Sequence, residues 1–171
     1  MEFTFETQYN AKTIALMAKA LRKTIRKKHS RRSRLFGWIA IALALLLLLL
    51  NGFALDLRTV VTSIAVLVIL TALVFEDQIN GYAAQKRLLP GTEKAGTVFS
   101  EKGFVSTTEV GRSEWSYDKI ALVAETDGFF VFIFSASHGQ LYDKKSLQGG
   151  TVDDFRRFIE AATGKPVQRI V

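Results

Sequence analysis

Cysteine is absent from the 171 residues, and histidine occurs only at His29 and His138. The first absence excludes disulfides, cysteine-ligated zinc or iron–sulfur sites and thiol nucleophiles. The second leaves too few imidazoles for a multi-histidine metal site. Charge is missing from two long stretches, Leu35–Leu55 and Thr59–Phe75, which are separated only by Asp56, Leu57 and Arg58. Neither stretch holds an ionisable group to relay protons or bind an ion. A basic excess is also missing from most of the chain, despite the net charge of +7. Residues 1–34 carry ten Lys/Arg and two Glu, against thirteen Lys/Arg and fourteen Asp/Glu in residues 35–171. One short segment therefore holds the whole surplus.

Four regions follow: residues 1–34, 35–75, 76–92 and 93–171. Leu35–Leu55 reaches ~31 Å as a helix, the thickness of a bilayer's hydrocarbon core. Its run Leu45–Leu50 has no polar face to turn to water. Thr59–Phe75 is at the short end of the spanning range, lengthened by Leu57 and a snorkelling Arg58. Two helices apolar all round would need a much larger protein to cover them, so a transmembrane hairpin is expected. Gly52-Phe53-Ala54 only faintly resembles a signal-peptidase site, and the first span is read as retained. The cations before the first span put both ends, Asn10 and Val171, on the cytoplasmic side of a cell membrane. Ala40-xxx-Ala44 and Thr59-xxx-Ser63 offer small residues for close helix approach.

In residues 1–34, the segment MEFTFET alternates as a strand does, with Phe3 and Phe5 on one face. A lone strand leaves its backbone unpaired, so residues 1–7 are expected to join the edge of the carboxy-terminal sheet and bury both rings. From Ala11 the spacing of Ile14, Met17, Leu21 and Ile25 becomes helical. This basic amphipathic helix runs on into the first span, and its cations are expected to contact an anionic lipid surface. They are Lys19, Arg22, Lys23, Arg26, Lys27, Lys28, Arg31, Arg32 and Arg34. No base-reading motif or interleaved aromatic accompanies them, so nucleic acid is not expected as a partner.

Residues 76–92 read as a linker with turn signals at Gly81 and Pro90-Gly91, although Tyr82–Leu89 suits a continuation of the second helix. Beyond it, strands are expected at 94–100, 103–110, 112–116, 119–126, 129–136 and 140–144. Asp127-Gly128 is the strongest hairpin signal. Phe129–Phe134 is apolar on both faces and should be a central strand covered on each side. Thr151 caps a final helix with an apolar face of Val152, Phe155, Phe158, Ile159 and Ala162, ended by Gly164 and Pro166. The fold class is α+β: a helical hairpin and a small antiparallel sheet closed by a helix.

Three stretches carry a resemblance: Val98–Phe104 (VFSEKGF), Trp115–Ile120 (WSYDKI) and Asp153–Phe158 (DDFRRF). With the two helices before them, the whole chain resembles the YcxB-like family of bacterial membrane proteins. The resemblance implies a cytosolic domain related to pleckstrin-homology-like barrels. It implies no assigned biochemical activity, and fold analogy does not supply one.

Catalytic chemistry has little to stand on. Ser135 and Ser137 beside His138 form a polar hairpin tip, since neighbours in a tight turn seldom point at one another. Gly149-Gly150 lacks the glycine spacing and the Lys-Ser/Thr of a phosphate loop. Asp153 and Asp154 open a helix, where capping is their default role. Lys119, Lys144 and Lys145 are diluted by Asp118, Asp127 and Asp143. Trp115 is either a rim packing residue or an exposed anchor for a partner. The expectation is a non-catalytic membrane protein with no cofactor and no metal, presenting an interaction domain to an unidentified protein partner. The alternative is a subunit of a transport or channel assembly that oligomerises through the hairpin.

Overall fold

The computed structural model describes residues 2–170, so Met1 and Val171 lie outside the described residues. Strand β1 (Phe3–Gln8) leads to helices α1 (Ala11–Lys23), α2 (Lys27–Leu50), α3 (Leu57–Val74) and α4 (Glu76–Gln85). Strands β2 (Lys94–Ser100), β3 (Gly103–Thr108), β4 (Gly111–Trp115), β5 (Leu122–Glu125), β6 (Phe129–Ile133) and β7 (Gly139–Asp143) follow. Helix α5 (Val152–Thr163) and strand β8 (Val167–Arg169) end the described chain.

The strands form two sheets, one ordered β1-β2-β3-β4 and the other β7-β6-β5-β8. All pairs are antiparallel except β5 with β8, which is parallel. The amino-terminal strand joins the carboxy-terminal region as its alternation predicts. Phe3 lies opposite Phe99, Gln8 opposite Lys94, and both Phe3 and Phe5 are fully buried. Gly149 permits that docking: its φ is +93°, and a Cβ there would collide with the Glu2 carbonyl.

Strand β6 is covered on both sides, as its two apolar faces require. Phe130 and Phe132 enter a core with Phe5, Phe99, Phe104, Tyr142 and Phe155. Val131 and Ile133 point the other way, against Ala20 and Leu21 of α1. The amphipathic helix read as a lipid-facing element thus packs its apolar side on protein. Ile14 and Leu21 are buried, while Ile25, the fourth member of that stripe, is 41% exposed. The stripe ends there because the helix ends. Thr24 closes α1 with its hydroxyl on the Ala20 carbonyl at 2.7 Å, and α2 starts afresh at Lys27. The break frees α2 to leave the direction that α1 takes across the sheet.

The segment read as a linker opens with α4, which packs along α1. A Cβ on Gly81 would come within 2.7 Å of the Ala15 backbone, so only glycine allows the two helices to approach this closely. Three further differences concern the sheets. Tyr117–Lys119 forms a 3-10 turn that buries Tyr117, which delays the strand expected from residue 119 until Leu122. The expected single curled sheet is two sheets. Strand β8, with only three residues, is too short to show an alternation. The final helix has the expected ends: a Thr151–Asp154 capping box and Gly164 in the left-handed region, φ +65°.

Candidate functional site

Helices α2 and α3 are long and apolar enough to cross a membrane, and they lie side by side. A cationic collar surrounds the end of this pair that joins the sheets. Eight of the nine basic residues expected at a membrane surface lie in the last turn of α1, the break or the first two turns of α2, and Lys19 lies further back along α1.

Arg22, Arg26 and Arg34 are engaged inside the protein. Arg22 grips Asp77 with two parallel bonds, Nε to Oδ1 at 2.8 Å and Nη2 to Oδ2 at 2.6 Å. Both side chains are 18% exposed, and the charge-assisted fork ties α1 to the start of α4. The hydrogen bonds to Asp77 raise the Arg22 pKa above its ordinary value. Arg26 donates from Nε to the Ala136 carbonyl in the β6–β7 turn. Arg34 donates from Nη2 to the Leu73 carbonyl at 3.0 Å, so a cation satisfies the carboxy-terminal end of α3. Its Nε lies 3.9 Å from Glu76 Oε2, and neither of those buried atoms has a hydrogen-bond partner. Lys27, Lys28, Arg31 and Arg32 are exposed on the first turns of α2. Lys19, on α1, is half-buried, and Lys23, at its end, is exposed.

Trp115 stands at the other candidate position, half-buried on the rim of the first sheet. Its ring packs on Phe134, centroids 4.7 Å apart, and stacks on His138 at 5.7 Å with 25° between planes. The indole Nε1 is buried without a hydrogen-bond partner. His138 is therefore held by its face on an aromatic ring. The neighbouring hydroxyls, Ser135 Oγ and Ser137 Oγ, lie 3.4 Å from each other.

The acids singled out in the sequence are engaged structurally. Asp154 completes the α5 cap, and the Thr151 hydroxyl, then its backbone, hold the carboxyl down at about 2. Asp153 pairs with Arg156. The lysines are divided: Lys119 bonds its neighbour Asp118, whereas Lys144 reaches a buried acid that sequence reasoning passed over. That acid is Glu125. Arg156 donates Nε to Oε2 at 2.8 Å and Nη2 to Oε1 at 2.7 Å, and Lys144 Nζ donates to Oε1 at 2.6 Å. These bonds, Arg156 first, hold the Glu125 carboxyl down at about 2 against the burial that would raise it. The cluster locks β5, the Lys144–Ser146 turn and α5 together. Its partners are 19 and 31 residues away in sequence, so no local signal marks it.

Among the described residues, no group of three or more His, Asp or Glu side chains is placed to hold a metal ion. Residues 99–159 match the family model described as YcxB-like protein. The family resemblance thus holds for the segment that runs from Phe99 in β2 to Ile159 in α5. No curated protein matches the chain.

Proposed function

We propose that this YcxB-like chain is a non-catalytic membrane protein that holds a pleckstrin-homology-like interaction domain against the inner face of the membrane. One observation carries the reading. The cations gather at the sheet end of two apolar helices, and that pair is left bare by the rest of the protein. Only 11% of the most apolar window of either helix is buried, so protein does not cover them as it would a core helix. The far end of the pair has only Asp56 and Arg58 as charges, an asymmetry that keeps the cationic end cytoplasmic.

The sheet order supports the domain analogy. Four antiparallel strands face the antiparallel trio β7-β6-β5, and α5 packs into the core between them. Strand β4 has a sheet neighbour on one side only, and Gly111–Glu114 are exposed along it. An open edge of this kind suits an extended segment of a protein partner, added as a further strand beside Trp115.

Topology is the decisive test, and the cysteine-free chain makes it clean. Single cysteines at Leu55 and Ser113 are exposed positions on the helix turn and on β4. In intact cells an impermeant maleimide should label L55C, and should label S113C only after lysis. Labelling of S113C in intact cells would overturn the reading.

A further inference from the structure

Where α1 gives way to α2, a groove of about 510 Å³ runs down one face of α2. Its upper part is cationic, lined by Lys27, Arg31 and Arg34, with Arg22 at the end of α1 facing them. Its lower part is apolar, formed by Leu35 and Trp38, which are 59% and 55% exposed. Lys27, Arg31, Arg34 and Trp38 recur every third or fourth residue and so form one helical stripe. No carboxylate lines the groove itself, although Asp77 holds Arg22 and Glu76 lies 3.9 Å from Arg34 Nε behind the lining. Among the described residues, no acid pairs with Lys27 or Arg31. The first turn of α2 also lacks an acid, although the helix dipole there favours an anion and its cations repel one another. Arg34 adds a buried Nε that has no hydrogen-bond partner, with Glu76 Oε2 3.9 Å away.

We infer that this groove takes a single anionic phospholipid. The phosphate sits between Lys27 and Arg31, and the glycerol and first acyl carbons lie along Leu35 and Trp38. The inference rests on the membrane reading of α2 and α3 and adds a discrete ligand site to it. The order of the stripe decides the ligand. A free phosphate would use the cations and leave the apolar end in water, whereas a lipid matches charge above and hydrocarbon below in the same sequence. An indole ring at the first turn of the uncharged stretch lies at the level of the lipid glycerol.

Native mass spectrometry of the full chain in detergent tests this with phosphatidylglycerol, phosphatidylcholine and inorganic phosphate as probes. Phosphatidylglycerol should be retained as one adduct per chain in preference to phosphatidylcholine, and phosphate should not displace it. The double variant Lys27→Gln, Arg31→Gln should weaken retention about 30-fold, the attraction of two basic residues at a surface. The control Lys28→Gln, Arg32→Gln removes the same charge one residue further along the helix, outside the groove. It should change retention less than threefold. Equal loss in both variants, or displacement by phosphate, would overturn the site and leave the membrane reading standing. Release of the wild-type chain from membranes by alkaline carbonate would remove the membrane reading and the site with it.

Discussion

Phe5 makes more aromatic contacts than any surface strand residue needs. Its ring meets Phe155 at 4.7 Å, Tyr142 at 5.6 Å, Phe99 at 5.7 Å and Phe130 at 6.4 Å, and it has no exposed area. Phe5→Ala should therefore lower stability by about 3–5 kcal/mol, from lost transfer energy and a cavity that the four surrounding rings cannot close. Thermal unfolding in detergent checks this, and an unchanged Tm would mean that β1 contributes nothing to the core. Phe3 and Phe5 were legible as a buried pair because alternation is a local signal. Glu125 was not, because its meaning depends on Lys144 and Arg156, which arrive from other elements. Its depressed pKa gives the cluster a pH signature. A carboxylate held at about 2 stabilises the fold fully above its ordinary value of 4.5, and the contribution fades as pH falls through that window. Glu125→Gln should cost about 2–3 kcal/mol at pH 7 by leaving Lys144 without its acid and Arg156 with Asp153 alone. The difference from wild type should shrink steadily between pH 4.5 and 2 in urea titrations. A difference that stays constant across that range would rule out Glu125 as the titrating group.

At the scale of elements, amphipathicity announced that α1 has a face to bury but not what would cover it. A lipid surface and a sheet present the same apolar demand. The two-faced strand β6 held the missing half of that information, since its second side needed a cover and α1 was the unclaimed helix. Helix α4 was hidden for a different reason. Gly81 looks like a turn signal in sequence, and here it is the point of closest approach between two helices. This yields a sharp expectation. Gly81→Val would push a branched side chain into the Ala15 backbone and should destabilise the α1–α4 pair by about 1–3 kcal/mol. Gly52→Ala is the matched control, because nothing lies within 4 Å of its added carbon, although its φ of +59° carries a small backbone cost. Hydrogen exchange should show faster opening of residues 11–23 and 76–85 in the first variant only. If both variants exchange like wild type, the glycine contact has no structural role.

At the scale of the whole molecule, the path from hairpin to domain decides how the protein behaves. A chain joined only through Pro90 and Gly91 would let the domain swing. The structure instead inserts three bracing contacts. Helix α1 lies between α4 and the second sheet, Arg22 is forked onto Asp77, and Arg26 reaches the β6–β7 turn. Strand β1 then returns the amino terminus to the first sheet, so the apolar helices are gripped from both of their sheet-side ends. Such bracing predicts that the domain keeps one orientation relative to the hairpin. Spin labels on single cysteines at Ser33 and Ser113, both exposed, report that directly in a chain with no other thiol. Their distance distribution in micelles should be narrow, a few ångströms wide at most (about the spread of the labels themselves). Asp77→Ala removes the acid from the fork and strands a half-buried guanidinium, which should weaken the brace by about 2–4 kcal/mol. The distribution should then broaden or acquire a second population, while Phe5→Ala should leave the Ser33 side of the brace in place. A wild-type distribution already as broad as a flexible linker allows would show that the collar does not couple the apolar helices to the domain.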